Sequence, residues 1–273
     1  MPPRDATGSR GARLGAGADR QGRRGKASVD VMAVGYREIR PPDDLRAAVV
    51  CLWERVGTAG QQLVVPDGCT DLIWLAGREL VIAGADTGAR SVSLPVGLRS
   101  SGLRLRPGAA GGFLGVPASE VRDCRASAEE VLGSHAVCLA DRLASTTAQG
   151  QLQLLAETAR RRQVVPDPVV IAASRLLGRP GARVATVASD VGISERQLHR
   201  RTVAAVGYGP KMLARVLRLR RLIRMPAASL VERALAAGYA SQAHMSDEVR
   251  SLTGLSASQY LVRFVEAPTL VDL

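Results

Sequence analysis

The chain is poor in the residues that usually carry catalysis or hold metals. Its three histidines, His135, His199 and His244, lie far apart along 273 residues. Its four cysteines, Cys51, Cys69, Cys124 and Cys138, include no C-x-x-C pair and have no histidine nearby, so neither a metal site nor a cofactor is expected. No G-x-S-x-G, H-E-x-x-H or P-loop is present, and nothing argues for an enzyme. Lysine is almost absent: 35 of the 37 basic residues are Arg, leaving Lys26 and Lys211. That bias, with abundant Ala, Gly and Val, reads as GC-rich codon usage, so Arg in place of Lys says little about bidentate recognition, while the charge itself stays physical. No apolar run approaches the ~18 residues needed to span a bilayer, and the N-terminus has no apolar signal core, so a cytoplasmic protein with no membrane partner is expected.

The surplus is positive charge. The formal charge is +12 and the pI about 10.8. Residues 1–33 carry +4, residues 34–164 only +1, and residues 165–273 +7. The charge therefore sits at the two ends. Residues 1–33 are rich in Gly, Ala and Arg, are almost free of large apolar groups and read as a disordered basic tail, inert or adding nonspecific DNA affinity. Met32 is an alternative start.

From Tyr36 to about Leu105 the texture is β-like. Apolar runs at Gln62–Val65, Asp71–Leu75, Leu80–Ala83 and Gly97–Leu105 are separated by Pro66-Asp67-Gly68, Ala76-Gly77, Asp86-Thr87-Gly88 and Arg106-Pro107-Gly108. A short helix, Leu45–Arg55, is expected before this sheet, and helices at Ser119–Cys124, Ser134–Ser145 and Ala148–Arg162 after it. The Pro166/Pro168 pair marks a boundary, giving a regulatory domain over 34–164 and a helical domain over 165–273.

Ala185–Ala205 reads as helix, turn, helix. Val191-Gly192-Ile193 forms the turn, Ser194 the N-cap and Gln197 the partner of a capping box. Leu198 and Thr202 share one face, and Arg196, His199 and Arg200 project from the other. The pattern recurs at an offset of about 47, with Ala234–Gly238 matching Ala188–Gly192, Ser241 as cap, and Met245 and Val249 in the places of Leu198 and Thr202. Leu198, Met245, Val187, Leu235 and Tyr239 are expected in the core. Between the copies, Lys211–Met225 is a capable helix bounded by Pro210 and Pro226, about 22 Å long at ~1.5 Å per residue. One chain could thus present two reader helices to adjacent major grooves.

Residues of about 168–264 resemble the DNA-binding domain of the AraC/XylS family of bacterial transcription regulators, on VASDVGISERQLHRRTVAAVGYGPKMLARVLRLRRLI and ALAAGYASQAHMSDEVRSLTGLSASQYL. The resemblance implies double-stranded promoter DNA as partner. It implies contacts from Arg196, His199 and Arg200, with Ser194, Gln197 and Arg201 beside them and Arg218 on the linker helix. In the second motif it implies Ser241, Gln242, Ala243, Ser246 and Asp247, with Arg250 on a phosphate. Thr202 and Val249 stand where the family has aromatics, Ala257 where it has Pro, and Asp247 and Glu248 where basic residues are common. The first motif is therefore expected to supply most of the affinity.

YREIRPP, VVPDGCTDLIW, GLRLRPGAAGGFLGVPASEVRD and AEEVLG resemble the N-terminal domain of an uncharacterised actinobacterial-type branch of these regulators. In the broader family that position is often a cupin-like β-barrel that binds a small effector or mediates dimerisation. The fold class is therefore α+β: a β-rich regulatory domain and an all-α domain with two helix-turn-helix motifs. Asp67, Asp71 and Trp74 are the candidate effector residues. The function is a sequence-specific DNA-binding regulator, activation or repression both open, controlled by a small effector or by self-association through the N-terminal domain, with RNA polymerase and a homodimer mate as further candidate partners. Two other classes stand beside it: an alkylation- or redox-responsive protein using Cys69, and a protein-binding anti-activator.

Overall fold

The computed structural model describes residues 31–33, 35–226 and 229–265. The basic tail expected over residues 1–33 lies outside the described residues except for its last three. These form strand β1 (Val31–Ala33), which pairs with β2 (Tyr36–Ile39) and so belongs to the sheet.

The N-terminal half is an antiparallel sheet with helices on one face. β3 (Val49–Val56), β4 (Gln62–Val64), β5 (Thr70–Leu75), β6 (Glu79–Ala83), β7 (Arg90–Val92), β8 (Arg99–Leu105) and β9 (Arg125–Ser127) follow in turn. Seven strands take the order β1-β2-β3-β8-β5-β6-β9, while β4 and β7 pair as a separate ribbon. Among the described residues β1 and β9 are unpaired on their outer sides, so the expected barrel is an open sheet.

Side-chain alternation gives the sheet two different faces. Leu52, Leu72, Trp74, Ile82, Leu103 and Leu105 point into a core closed by α1 (Ala110–Leu114), α2 (Ala128–Leu132), α3 (Ser134–Ala144) and α4 (Ala148–Arg161). Cys51, Trp53, Ile73 and Val81 face the other way.

Two expected helices are absent. The run read as a helix over Leu45–Arg55 is a 3-10 turn at Asp43–Leu45 followed by β3. From Val49 to Trp53 every residue is buried, because β3 lies between β2 and β8 with both faces covered. A strand buried on both faces loses the alternation that distinguishes it from a helix. Ser119–Cys124 is likewise a 3-10 turn at Ala118–Val121 followed by a further turn at Arg122 and Asp123, the latter at positive φ.

The C-terminal half holds α5 (Pro168–Leu177), α6 (Val184–Asp190), α7 (Glu195–Val206), α8 (Pro210–Arg224), α9 (Leu230–Ala236), α10 (Gln242–Thr253) and α11 (Ala257–Val265). It has two cores. Leu213, Val216 and Leu217 of α8 pack with Val187, Leu198 and Val206. Leu219 and Leu222 pack with Met245, Val249, Leu252 and Tyr260. One helix therefore seats both motifs. Leu235, expected in the second core, is 55% exposed on the outer side of α9, where Ala234 is buried instead.

Candidate functional site

Both motifs form as their spacing requires. Ser194 accepts from the Gln197 amide while Gln197 Oε1 accepts from the Ser194 amide, which completes the capping box, and Gly192 closes the turn in the left-handed region at φ +73°. Ser241 caps α10 by accepting from the His244 amide. Leu198 and Met245 are fully buried. Thr202, standing where an aromatic is usual, is also buried and donates to the Leu198 carbonyl at 2.7 Å, so its hydroxyl is satisfied.

The outer faces present the residues left over. Arg196, His199 and Arg200 are exposed on α7, and neither arginine makes a hydrogen bond or ion pair with a described residue. Such guanidiniums are available to an anionic partner. On α10, Gln242, Ala243, Asp247 and Arg250 are exposed and Ser246 is half-buried.

Two residues expected at the DNA face, Arg201 and Arg218, make ion pairs within the protein. Arg201 forks onto Asp167, the N-cap of α5, at 2.8 and 2.9 Å. Burial alone would raise the Asp167 carboxyl, but the bonds from Arg201 and from the Val170 and Val169 amides hold it below its usual value. Arg218 forks onto Glu248 at 2.9 and 3.1 Å and lies over the Tyr239 ring at 5.1 Å. Glu248 also receives Arg215 at 3.3 Å and is 7% exposed. The charge feared as a repulsion at the DNA is thus buried and neutralised between α8 and α10; only Asp247 remains on the surface.

On the free face of the sheet lies a cavity of about 490 Å³, bordered by both halves of the chain. The sheet contributes Trp53, Arg55, Asp71, Ile73 and Arg104; the ribbon contributes Gln62 to Val64; α8 and α11 contribute Arg220, Tyr260 and Phe264. Its floor is a buried charge cluster. Arg104 meets Asp71 at 3.1 Å, Glu38 at 3.4 Å and Asp67 at 3.5 Å. Trp53 donates its indole N–H to Asp71 at 3.1 Å, and Tyr36 its hydroxyl to Glu38 at 2.7 Å. Burial raises the Asp71 carboxyl despite Arg104, and it raises the Asp86 carboxyl at the rim to about 6, against the pull of Arg90. Gln62 Oε1 has no hydrogen-bond partner among the described residues.

Of the three effector candidates, Asp67 and Asp71 border this cavity and Trp74 does not. Trp74 is three positions past Asp71 on β5, so the pleat turns it into the helix-covered core. The indole at the cavity is Trp53, which sequence reasoning placed in a helix. It lies flat on β8 because residue 102 is glycine: a Cβ there would overlap the indole. Cys69 is buried, and its thiol is pushed well above its ordinary value by burial and then by Asp67. That is the reverse of what a methyl-accepting thiolate needs.

The cavity walls connect to both motifs. Arg220 on α8 donates to the Asp67 carbonyl at 3.1 Å. The Ala89 amide donates to the Leu252 carbonyl of α10 at 2.8 Å. α1 and the turn at Ala118–Val121 pack against α7. Each reader helix is thus touched by the N-terminal half.

Residues 187–263 match a family model described as a helix-turn-helix domain, and residues 37–127 match one described as a domain of unknown function, DUF6597. No curated protein matches the chain. Among solved structures, ToxT from Vibrio cholerae O395 is similar at 10% identity with a TM-score of 0.43, covering 77% of this chain and 97% of that one. Unsaturated fatty acid bound wild-type ToxT from Vibrio cholerae strain SCE256 is similar at 12% identity with a TM-score of 0.37, covering 85% and 95%. The C-terminal half is a helix-turn-helix domain, the DNA-binding kind that the duplicated motifs and the AraC-type resemblance led us to expect.

Proposed function

We propose that the chain is a sequence-specific DNA-binding transcription regulator of the AraC/XylS type, acting in the cytoplasm and switched by a small molecule held in the 490 Å³ cavity. The observation that carries the DNA role is the pair of capped helices seated on one linker helix, the first displaying Arg196 and Arg200 with no partner among the described residues. Association begins with phosphate attraction to the basic C-terminal half, and base edges are then read from the exposed face of α7, with α10 the weaker reader. Ser194, Gln197, His199, Ser241, Gln242, Ala243, Ser246, Asp247 and Arg250 belong to the same faces.

The switch is supported by what borders the cavity. An amphipathic molecule resting on Ile73, Leu75 and Phe264 and hydrogen-bonded to Asp67, Asp71 or Gln62 would touch sheet, ribbon and helices together. Its binding free energy is then coupled to the angle between the reader helices through Arg220 and the 86–89 loop. Contact with RNA polymerase and pairing of two copies on DNA complete the proposal. A footprinting titration of the chain's own upstream DNA at fixed salt tests it. Protection of two adjacent major grooves, lost with Arg196→Ala and Arg200→Ala, is the expected result, and uniform protection of any sequence would refute it.

A further inference from the structure

A second cleft, of about 620 Å³, opens beside the first along α8, and its chemistry differs from that of the first. It is bordered by six arginines: Arg46, which also pairs with Asp43 at 2.5 Å, and Arg106 from the N-terminal half, Arg175 from α5, and Arg220, Arg221 and Arg224 from α8. No Asp or Glu borders it among the described residues, and none of its lining comes from α7 or α10. Arg175 is exposed and makes no hydrogen bond or ion pair with a described residue, and Arg221 donates to a neutral acceptor, the Ala237 carbonyl, at 3.1 Å. Arg106 donates to the Arg46 carbonyl at 2.8 Å. Burial pulls its guanidinium below its ordinary value, and Arg175 and Arg220 add to that pull.

Like charges gathered in a concave site raise the free energy of the unliganded protein and lower that of an anionic complex. Guanidinium forks match phosphate oxygens in geometry. Ile171, Leu217, Met225 and Pro107 add an apolar wall, and the volume suits a molecule of nucleotide size. A DNA duplex, at ~20 Å across, would not enter it. We propose that this cleft binds a small phosphorylated molecule of the nucleoside diphosphate class, which clamps the regulatory half onto α5 and α8. Since the cleft lies outside the 490 Å³ cavity except where the two share Arg220 and Arg224, this ligand is a second input, separate from the effector.

The test uses the full chain with ADP and pyrophosphate as probes, and sulfate at matched ionic strength as the control. Calorimetry is expected to show saturable binding of both probes, and each probe to raise the melting temperature, where sulfate does neither. Arg175→Glu and Arg46→Glu, both at exposed positions, are expected to keep the wild-type circular dichroism spectrum and weaken ADP about tenfold or more. Arg175→Glu is expected to leave operator affinity within about twofold. Binding of ADP and pyrophosphate no tighter than sulfate, or unchanged in both variants, would overturn the proposal. Competition between ADP and operator DNA, with Arg175→Glu weakening both alike, would overturn it too, by making the cleft a DNA-backbone contact.

Discussion

Arg201 and Asp167 hold each other through two hydrogen bonds of 2.8 and 2.9 Å, so the first reader helix is fastened to the cap of α5 by the arginine next to the one it offers outward. Neighbours on a helix point about 100° apart, so Arg200 is left exposed while Arg201 anchors α7 to α5. Arg200→Ala should lower operator affinity by tenfold to a hundredfold without changing the melting temperature. Arg201→Ala should cost stability, by about 0.5–1 kcal/mol because the pair is partly exposed, and leave operator affinity nearly intact. Asp247→Ala should change affinity far less than Arg200→Ala. Parallel melting and footprinting curves for the three variants check the ranking.

Glu248 gathers Arg215 and Arg218 from α8 and is nearly buried. Removing one member strands the others in a poorly solvated place. Glu248→Gln should therefore destabilise the fold by about 2 kcal/mol in urea titration. Arg218→Ala should do likewise, and it should leave the slope of log affinity against log salt unchanged, since both of its fork bonds go to Glu248.

Asp86 titrates at about 6 in the folded chain, above the ordinary carboxyl value of 3.8, so folding favours its protonated form. Its charge costs stability as pH rises through that range, and the cost is absent below about pH 4. Asp86→Asn should be more stable than the parent by about 1–3 kcal/mol at pH 7.5, with the gap closing towards pH 4. Unfolding midpoints across that range decide it. A constant gap would mean Asp86 is not the group titrating.

Gly102 leaves the space that Trp53 fills. Gly102→Ala should push the indole off Asp71, cost about 1–3 kcal/mol through overpacking, and shift tryptophan emission. Trp74, on the other face, serves as the internal reference that should not move.

The DNA-binding half was largely legible because its signals are local. Capping boxes, a turn glycine and i, i+4 spacing are fixed by neighbours in sequence, and Ser194, Gln197, Leu198 and Met245 stand where the pattern put them. Which arginines face outward was not legible: Arg201 and Arg218 find partners 34 and 30 residues away, a pairing only the tertiary fold creates. The cavity was harder still. Pro66–Trp74 led to the cavity through Asp67 and Asp71, but that Trp53 rather than Trp74 borders it depends on the strand register, and β3 carries no alternation to supply that.

The bond from the Ala89 amide to the Leu252 carbonyl is made of main chain at both ends. An alanine scan would pass over it without a signal, since every non-proline residue at position 89 offers the same N–H. The contact between the 86–89 loop and α10 is thus insulated from side-chain drift, and it persists wherever the loop keeps its path. Proline is the substitution that reaches it. Ala89→Pro should leave operator binding by the unliganded chain in place while uncoupling α10 from the effector cavity, a separation that footprints with and without effector would register.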